Sequence, residues 1–207
     1  MLRIIIGVLC LALTFGAAAA ESAYKEGEHY ERITPEVATN GEGKIEVVEI
    51  FWYGCHHCYA FEPHIEEWLK SKPENVVFRR VPGIFAQNWV PHARAFYVAE
   101  TLGVMDKVHT ALFEAIHGLG RKINDEDALA RFFAEHGVAE SDFREAYNSF
   151  SVDTKTRQAM TASKDYGITG VPSMILNGRF RTSARLTGTY AEMLKVVDTL
   201  VAKESTP

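Results

Sequence analysis

The chain has 207 residues, 47% of them hydrophobic and 24% charged, with a formal charge of −5 at pH 7. That composition supplies apolar material for one or two cored domains and excludes a disordered tail. The acidic balance, with no stripe of Lys and Arg, excludes nucleic acid as the expected partner, because phosphate binding is driven by clustered cations.

The first twenty residues stand apart from the fold. Met1-Leu2-Arg3 is basic, Ile4 to Phe15 is an apolar run and Ala18-Ala19-Ala20 offers a small-residue cleavage site, the pattern of a secretory signal peptide cut near Ala20. The alanine-rich end followed by Glu21 argues against a retained membrane anchor. Cys10 lies inside this leader, behind Leu9 rather than the small residue a lipid-attachment site needs, and it leaves with the leader. Cys55 and Cys58 remain. Small domains in oxidising compartments usually carry several disulfides; here there is one close pair, in a chain large enough to need no staple.

Ile45 to Trp52 (IEVVEIFW) is β-rich and nearly continuous in apolar residues, which predicts a strand buried on both faces and makes Glu49 an anomaly. After Gly54 the spacing of Tyr59, Phe61, Ile65, Trp68 and Leu69 predicts a helix that ends before Pro73, with a kink at Pro63. Val76 to Val81 reads as a second strand, so Ile45 to Val81 has the form of a βαβ unit with a parallel pair. From about Val90 to Gly167 the pattern is helical, punctuated by Gly103, Gly118, Gly137 and Gly167, and predicts a bundle of four or five short helices. Asn124, Ser141 and Ser151 are its candidate N-caps, and Leu129, Phe132, Phe133, Phe143 and Tyr147 its apolar faces. Ser173 to Leu176, an Asn177-Gly178 turn and Arg179 to Arg181 predict a β-hairpin, and Tyr190, Met193, Leu194, Val197, Leu200 and Val201 trace one face of a closing helix. The order is βαβ, a helical block, then ββα. It implies an α/β fold whose sheet is interrupted by an insertion.

The cysteine pair sits where the first strand gives way to the first helix. A thiol there faces unsatisfied backbone N–H groups and the positive end of the helix dipole, both of which favour thiolate. Cys55 has that place. Cys58, three residues on, shares the helix face within disulfide reach but lies deeper, so Cys55 is assigned as nucleophile and Cys58 as the resolving thiol. His56 and His57 add donors, and positive charge when protonated, beside the sulfurs; a stabilised thiolate makes the disulfide more oxidising.

Other uses of the pair stay open on these residues alone. A structural disulfide closing so short a loop would contribute little chain-entropy stabilisation. Four successive residues cannot all face one tetrahedral zinc, and no second Cys or His pair at ligand spacing completes a site, although a metal bridging two chains remains conceivable.

FWYGCHHCYAFEP at a strand-to-helix turn, followed much later by GITGVPSMILNGRF, resembles the thioredoxin superfamily. The long helical insertion makes the chain similar to the DsbA family of periplasmic thiol:disulfide oxidoreductases, over essentially its whole mature length. The resemblance implies a thioredoxin fold in two parts, 21–83 and 161–207, separated by an inserted helical domain at 84–160. It implies that Val171-Pro172 forms a loop with a cis-proline beside the cysteines, where free backbone groups hold a substrate strand. It implies that Glu49 is a buried acid that takes part in proton transfer when Cys58 leaves, and that Arg80 stands where the family can place that acid's basic partner, a role a simple structural ion pair would also explain. One departure matters: His56 takes the position where the family's best-known members have proline, while His57 keeps the matching place. His56 either strengthens the oxidant when protonated or sits in solvent, so the potential does not carry over even where the reaction does.

The expected activity is donation of a disulfide to exported proteins with free thiols, by a monomeric periplasmic enzyme that needs no organic or metal cofactor and is reoxidised by a membrane partner of the DsbB type. A reductase or isomerase is the nearer rival, although the stretch before Lys44 is too short for the dimerisation domain that such isomerases carry. A protein that carries copper or zinc on the same two cysteines is the more distant one. Phe51, Trp52, Tyr53, Phe85 and Trp89 are candidates for an apolar substrate surface or, for Phe51 above all, for core. His29, His64, His92, His109, His117 and His136 read as surface or satisfied core residues.

Overall fold

The computed structural model describes residues 23–41 and 43–205. The leader, Cys10 and the expected cleavage near Ala20 lie outside the described residues. One five-stranded sheet holds the molecule together, in the order β1-β5-β4-β2-β3, from β1 (Glu31–Arg32), β2 (Ile45–Phe51), β3 (Val76–Pro82), β4 (Ser173–Leu176) and β5 (Phe180–Thr182). The central strand β2 pairs parallel with β3 and antiparallel with β4, and every one of its residues is buried, as a strand enclosed on both faces requires.

Helix α1 (His56–Ser71) joins β2 to β3 and runs on through Pro63. It packs with α8 (Tyr190–Glu204) on one face of the sheet, where Val47, Phe61, Ile65, Leu176, Met193 and Val197 form a single buried cluster. Between β3 and β4 come α2 (Val90–Thr101), α3 (Met105–Phe113), α4 (Glu126–Glu135), α5 (Glu140–Tyr147) and α6 (Phe150–Asp165), the five helices of the expected bundle. Helices α2 and α6 pack against β3, so Val48, Ile50 and Phe51 share a second cluster with Phe96, Phe113, Phe133 and Phe143. The sheet therefore separates two cores. α6 passes through residue 160 without a break and carries the bundle onto the sheet.

The hairpin has the expected turn: Asn177 and Gly178 have φ of 53° and 63°, and a side-chain carbon on Gly178 would run into the carbonyl of Val37. Its second strand is displaced one residue, to Phe180–Thr182, because β1 pairs there in the register Glu31–Arg181 and Arg32–Phe180. Strand β1 and the short helix α7 (Ala184–Thr187) have no counterpart in the sequence reading. The helix caps also differ. Asp125, not Asn124, accepts from Ala128 N–H, and Ser149, not Ser151, accepts from Val152 N–H; Ala139 stands at the start of α5, with Ser141 already inside it. In both capped cases the side chain that caps belongs to a residue with extended backbone, the condition for reaching back to the first free N–H groups.

Candidate active site

Cys55 occupies the N-cap position of α1 with φ −94° and ψ 115°, half exposed, while Cys58 is fully buried one turn later. Both are free thiols. No side chain caps the helix; the sulfur itself stands there. The Cys58 thiol donates toward Cys55, the backbone N–H groups of Cys58 and His57 are directed at it and His57 adds charge, and against the opposing cost of burial these bring the Cys55 thiol down to about 6. Burial, the negative sulfur of Cys55 and the carboxylate of Glu49 push Cys58 the other way, well above the ordinary thiol range. Two thiols three residues apart are thus split into an accessible, easily ionised one and a buried one that resists ionisation.

Beneath them, β2 and β3 bring Glu49 and Arg80 into register. Glu49 is 0% exposed, and Arg80 Nε donates to its Oε2 at 3.0 Å, leaving Oε1 buried without a partner among the described residues. The same guanidinium meets Glu62 at 3.2 Å and Glu66 at 3.0 Å, both on α1. Burial is the main reason that Glu49 and Glu62 are each raised to about 7, with Arg80 opposing it in both.

Above the sulfurs, the Val171-Pro172 bond is cis and the Val171 carbonyl oxygen accepts from Cys55 Sγ at 3.5 Å. A groove of about 710 Å³ opens beside this loop, lined among others by His57, Val171, Pro172, Ser173, Arg185 and Tyr190. The Tyr190 hydroxyl lies 3.3 Å from His57 Nδ1 and fixes one edge of the groove against the helix start. Outside the lining of this groove, Trp52 stacks on Trp89 with ring centroids 3.9 Å apart, and the 43%-exposed Phe85 sets its ring against Trp89. Gly54 allows this, since a side-chain carbon there would run into the Trp52 ring. Phe51 and Tyr53, by contrast, are buried in the core. Among the described residues, no group of three or more His, Cys, Asp and Glu side chains could hold a metal ion, and no helix is long and apolar enough to cross a membrane.

The profile of the DSBA-like thioredoxin domain matches residues 72–194. The thiol:disulfide interchange protein DsbA of Pseudomonas syringae pv. tomato is 42% identical over 97% of this chain and 94% of its own, and that of Pseudomonas aeruginosa is 40% identical over 97% and 95%. The crystal structure of Pseudomonas aeruginosa DsbA superposes with a TM-score of 0.83 at 41% identity, covering 87% of this chain and 94% of that one. The chain belongs to the DsbA family. It is a thiol:disulfide oxidoreductase with the DsbA-like thioredoxin fold, and it acts on proteins by thiol–disulfide exchange.

The expected site residues of this DsbA-family chain come from β2, the start of α1, β3 and the loop before β4. Cys55, Cys58, His57, Glu49, Arg80, Val171 and Pro172 converge around the end of β2. His56 does not join them: its ring is exposed and faces His117 at 5.9 Å, Tyr59 and His57. Most of the scattered histidines have a hydrogen-bond partner: His117 Nε2 lies 2.8 Å from the Tyr53 carbonyl, His136 Nδ1 2.8 Å from that of Phe132, and His92 Nε2 2.6 Å from that of Ile123, although His92 Nδ1 is buried without a partner among the described residues. The sequence reading missed Glu62, the groove and its Tyr190 edge. The signal for Glu62 was present: it lies four residues after Cys58, hence on the same inward face of α1.

Proposed function

We propose that this chain is a periplasmic disulfide donor whose reactive group is the Cys55–Cys58 disulfide. The observation that carries the reading is the contrast between the two thiols, Cys55 lowered to about 6 at the exposed start of α1 and Cys58 buried and raised. A substrate thiolate attacks Cys55 and forms a mixed disulfide; Cys58 leaves; a second substrate thiolate then displaces Cys55, releasing the oxidised product. Cys55 is the better final leaving group because its thiolate is stabilised, and a protein that stabilises its reduced form is an oxidant.

Cys58 is a poor leaving group as a bare thiolate, so it takes a proton from Glu49, whose place near 7 keeps it partly protonated at neutral pH. His57 supports the Cys55 thiolate by charge. His56 stays in solvent and adds little. The Val171-Pro172 loop holds an extended substrate segment by its backbone, and the adjoining groove and the Trp52–Trp89–Phe85 surface take its side chains. The thioredoxin-like parts, 21–83 and 161–207, carry the chemistry, and the insertion at 84–160 covers it. The signal peptide is removed near Ala20, the mature enzyme acts as a monomer on exported proteins with free thiols, and a membrane reoxidase of the DsbB type restores the disulfide.

The test is the equilibrium reduction potential of the Cys55–Cys58 couple against glutathione, on protein beginning at Glu21. A value well above thioredoxin's, at about −270 mV, is expected. A value near that figure would reverse the direction of electron flow and make the chain a reductase or isomerase.

A further inference from the structure

A buried polar chain runs from the helical bundle into the floor of the redox site, and the exchange reaction as described uses only its far end. His109, on α3, is 5% exposed. Its Nδ1 lies 2.7 Å from the Tyr53 hydroxyl and its Nε2 3.4 Å from Glu62 Oε1. Burial and the nearby charge of Arg80 keep the imidazole neutral, lowering it to about 3, so the ring carries one N–H. An ionised Glu62 oxygen can only accept, which assigns the ring proton to Nε2 and leaves Nδ1 bare to accept from the Tyr53 hydroxyl. The other oxygen of Glu62 accepts from Arg80, the cation that also holds Glu49 and Glu66. Three carboxylates share one guanidinium.

We propose that His109 is a positioning residue for thiol–disulfide exchange: by holding Glu62 against Arg80, it sets how much of that cation is left to Glu49, the acid that protonates Cys58. The inference rests on the role given to Glu49 above. In the step concerned, a substrate sulfur bonds to Cys55 Sγ, the Cys55–Cys58 bond breaks, and Cys58 keeps the electron pair and takes the Glu49 proton. The second substrate thiolate then attacks the substrate sulfur and Cys55 leaves as thiolate, so two electrons pass from substrate to enzyme. Glu49 afterwards regains a proton from water.

Without the Nε2–H, Glu62 Oε1 is a buried acceptor lacking its donor, and Glu62 keeps its proton to higher pH. A neutral Glu62 no longer competes for Arg80, which then favours the Glu49 carboxylate, and Glu49 loses its proton at lower pH. The other groups facing this chain are Cys58 and Glu66 on α1, Arg80 on β3, Tyr53 in the turn between β2 and α1, and His92 on α2, whose ring meets that of Tyr53 and which burial lowers.

The experiment follows the rate at which a small dithiol reduces the Cys55–Cys58 disulfide, expressed per thiolate of the reagent, from about pH 5 to about pH 9. The wild-type rate is expected to fall above a midpoint near 7. In His109→Leu the midpoint is expected about one unit lower, with about tenfold less rate on the alkaline side, and His109→Gln is expected to restore it, since the amide offers a donor to Glu62 and an acceptor to Tyr53. Tyr53→Phe removes one oxygen and is expected to move the midpoint the same way, whether or not the leucine variant folds. A merely structural role would lower the melting temperature and leave the midpoint in place. Wild-type midpoints in the folded His109→Leu and Tyr53→Phe variants overturn the proposal. A wild-type limb in Glu49→Gln overturns the underlying reading of Glu49; a limb lost in Glu49→Gln yet unmoved by the His109 and Tyr53 variants overturns the role of His109 alone.

Discussion

The sulfur of Cys55 and the carbonyl oxygen of Val171 lie 3.5 Å apart across 116 positions of sequence. The contact joins the two ends of the interrupted fold at the reacting atom: one supplies the nucleophile at a helix start, the other a strand entrance with backbone acceptors. In the proposed exchange, a substrate segment laid along Val171 would have its cysteine within reach of Cys55 by position alone.

The thiolate absorbance of the reduced protein is expected to titrate with a midpoint near 6 and to vanish in Cys55→Ser. Because the Cys58 thiol is the largest influence lowering Cys55, Cys58→Ala is expected to raise the midpoint. A midpoint unchanged in Cys58→Ala would remove that donor from the account.

Cys58→Ala is also expected to accumulate mixed disulfides with exported proteins, whereas Cys55→Ala accumulates few, since only Cys55 is accessible. Non-reducing electrophoresis of periplasmic extracts reads this directly, and equal trapping by both variants would contradict the assigned roles.

His56→Pro is expected to fold and to keep the Cys55 midpoint. His56 is the first residue of α1, where proline is well accommodated, and the N–H groups at the sulfur belong to His57 and Cys58. A displacement of about one unit or more in the thiolate titration would give His56 an electrostatic role it lacks here.

The reduced form should gain stability over the oxidised form as pH rises. Cys55 falls from an ordinary 9.0 to about 6 on folding, so between those values the unfolded chain holds a proton that the folded chain lacks, and folding is favoured increasingly with pH. The disulfide form has no such group. Denaturant unfolding of both forms at the two ends of that window measures the difference; a gap that closes with rising pH would mean that the Cys55 thiolate is not stabilised by the fold.

Arg80→Met is expected to cost about 3–5 kcal/mol at alkaline pH, because it leaves Glu49 and Glu62 buried without their cation. Both carboxylates are raised to about 7 even with Arg80 present, so below that pH they become neutral and the loss shrinks. Thermal melts on either side of neutrality check the sign.

Much of this was legible in the sequence, because what each segment becomes is governed by neighbours a few positions away. The apolar run of β2, the 3.6-residue spacing of α1 and α8, the Asn177-Gly178 turn and the thiol at a helix start are local patterns with local causes. Glu49 was legible as an anomaly because a charge inside an apolar strand must find a partner.

What only the tertiary structure decided are pairings between distant segments. Strand β1 is two residues long, too short to carry a periodicity, and exists because β5 offers it an edge. Glu62 reads as one more surface acid until α1 turns it toward Arg80, and His109 reads as an ordinary histidine of a helical bundle until the bundle folds down on Tyr53 and Glu62. Phe51 and Trp52 are adjacent, yet one enters the core and the other stacks half-buried on Trp89, because successive residues at the end of a strand point to opposite sides and only packing determines which side is covered. The sequence by itself determined most of the elements and the reactive pair; β1, the buried acid–base chain and the groove beside Val171-Pro172 were decided by which faces those elements present to one another, a matter of long-range packing that no local pattern encodes.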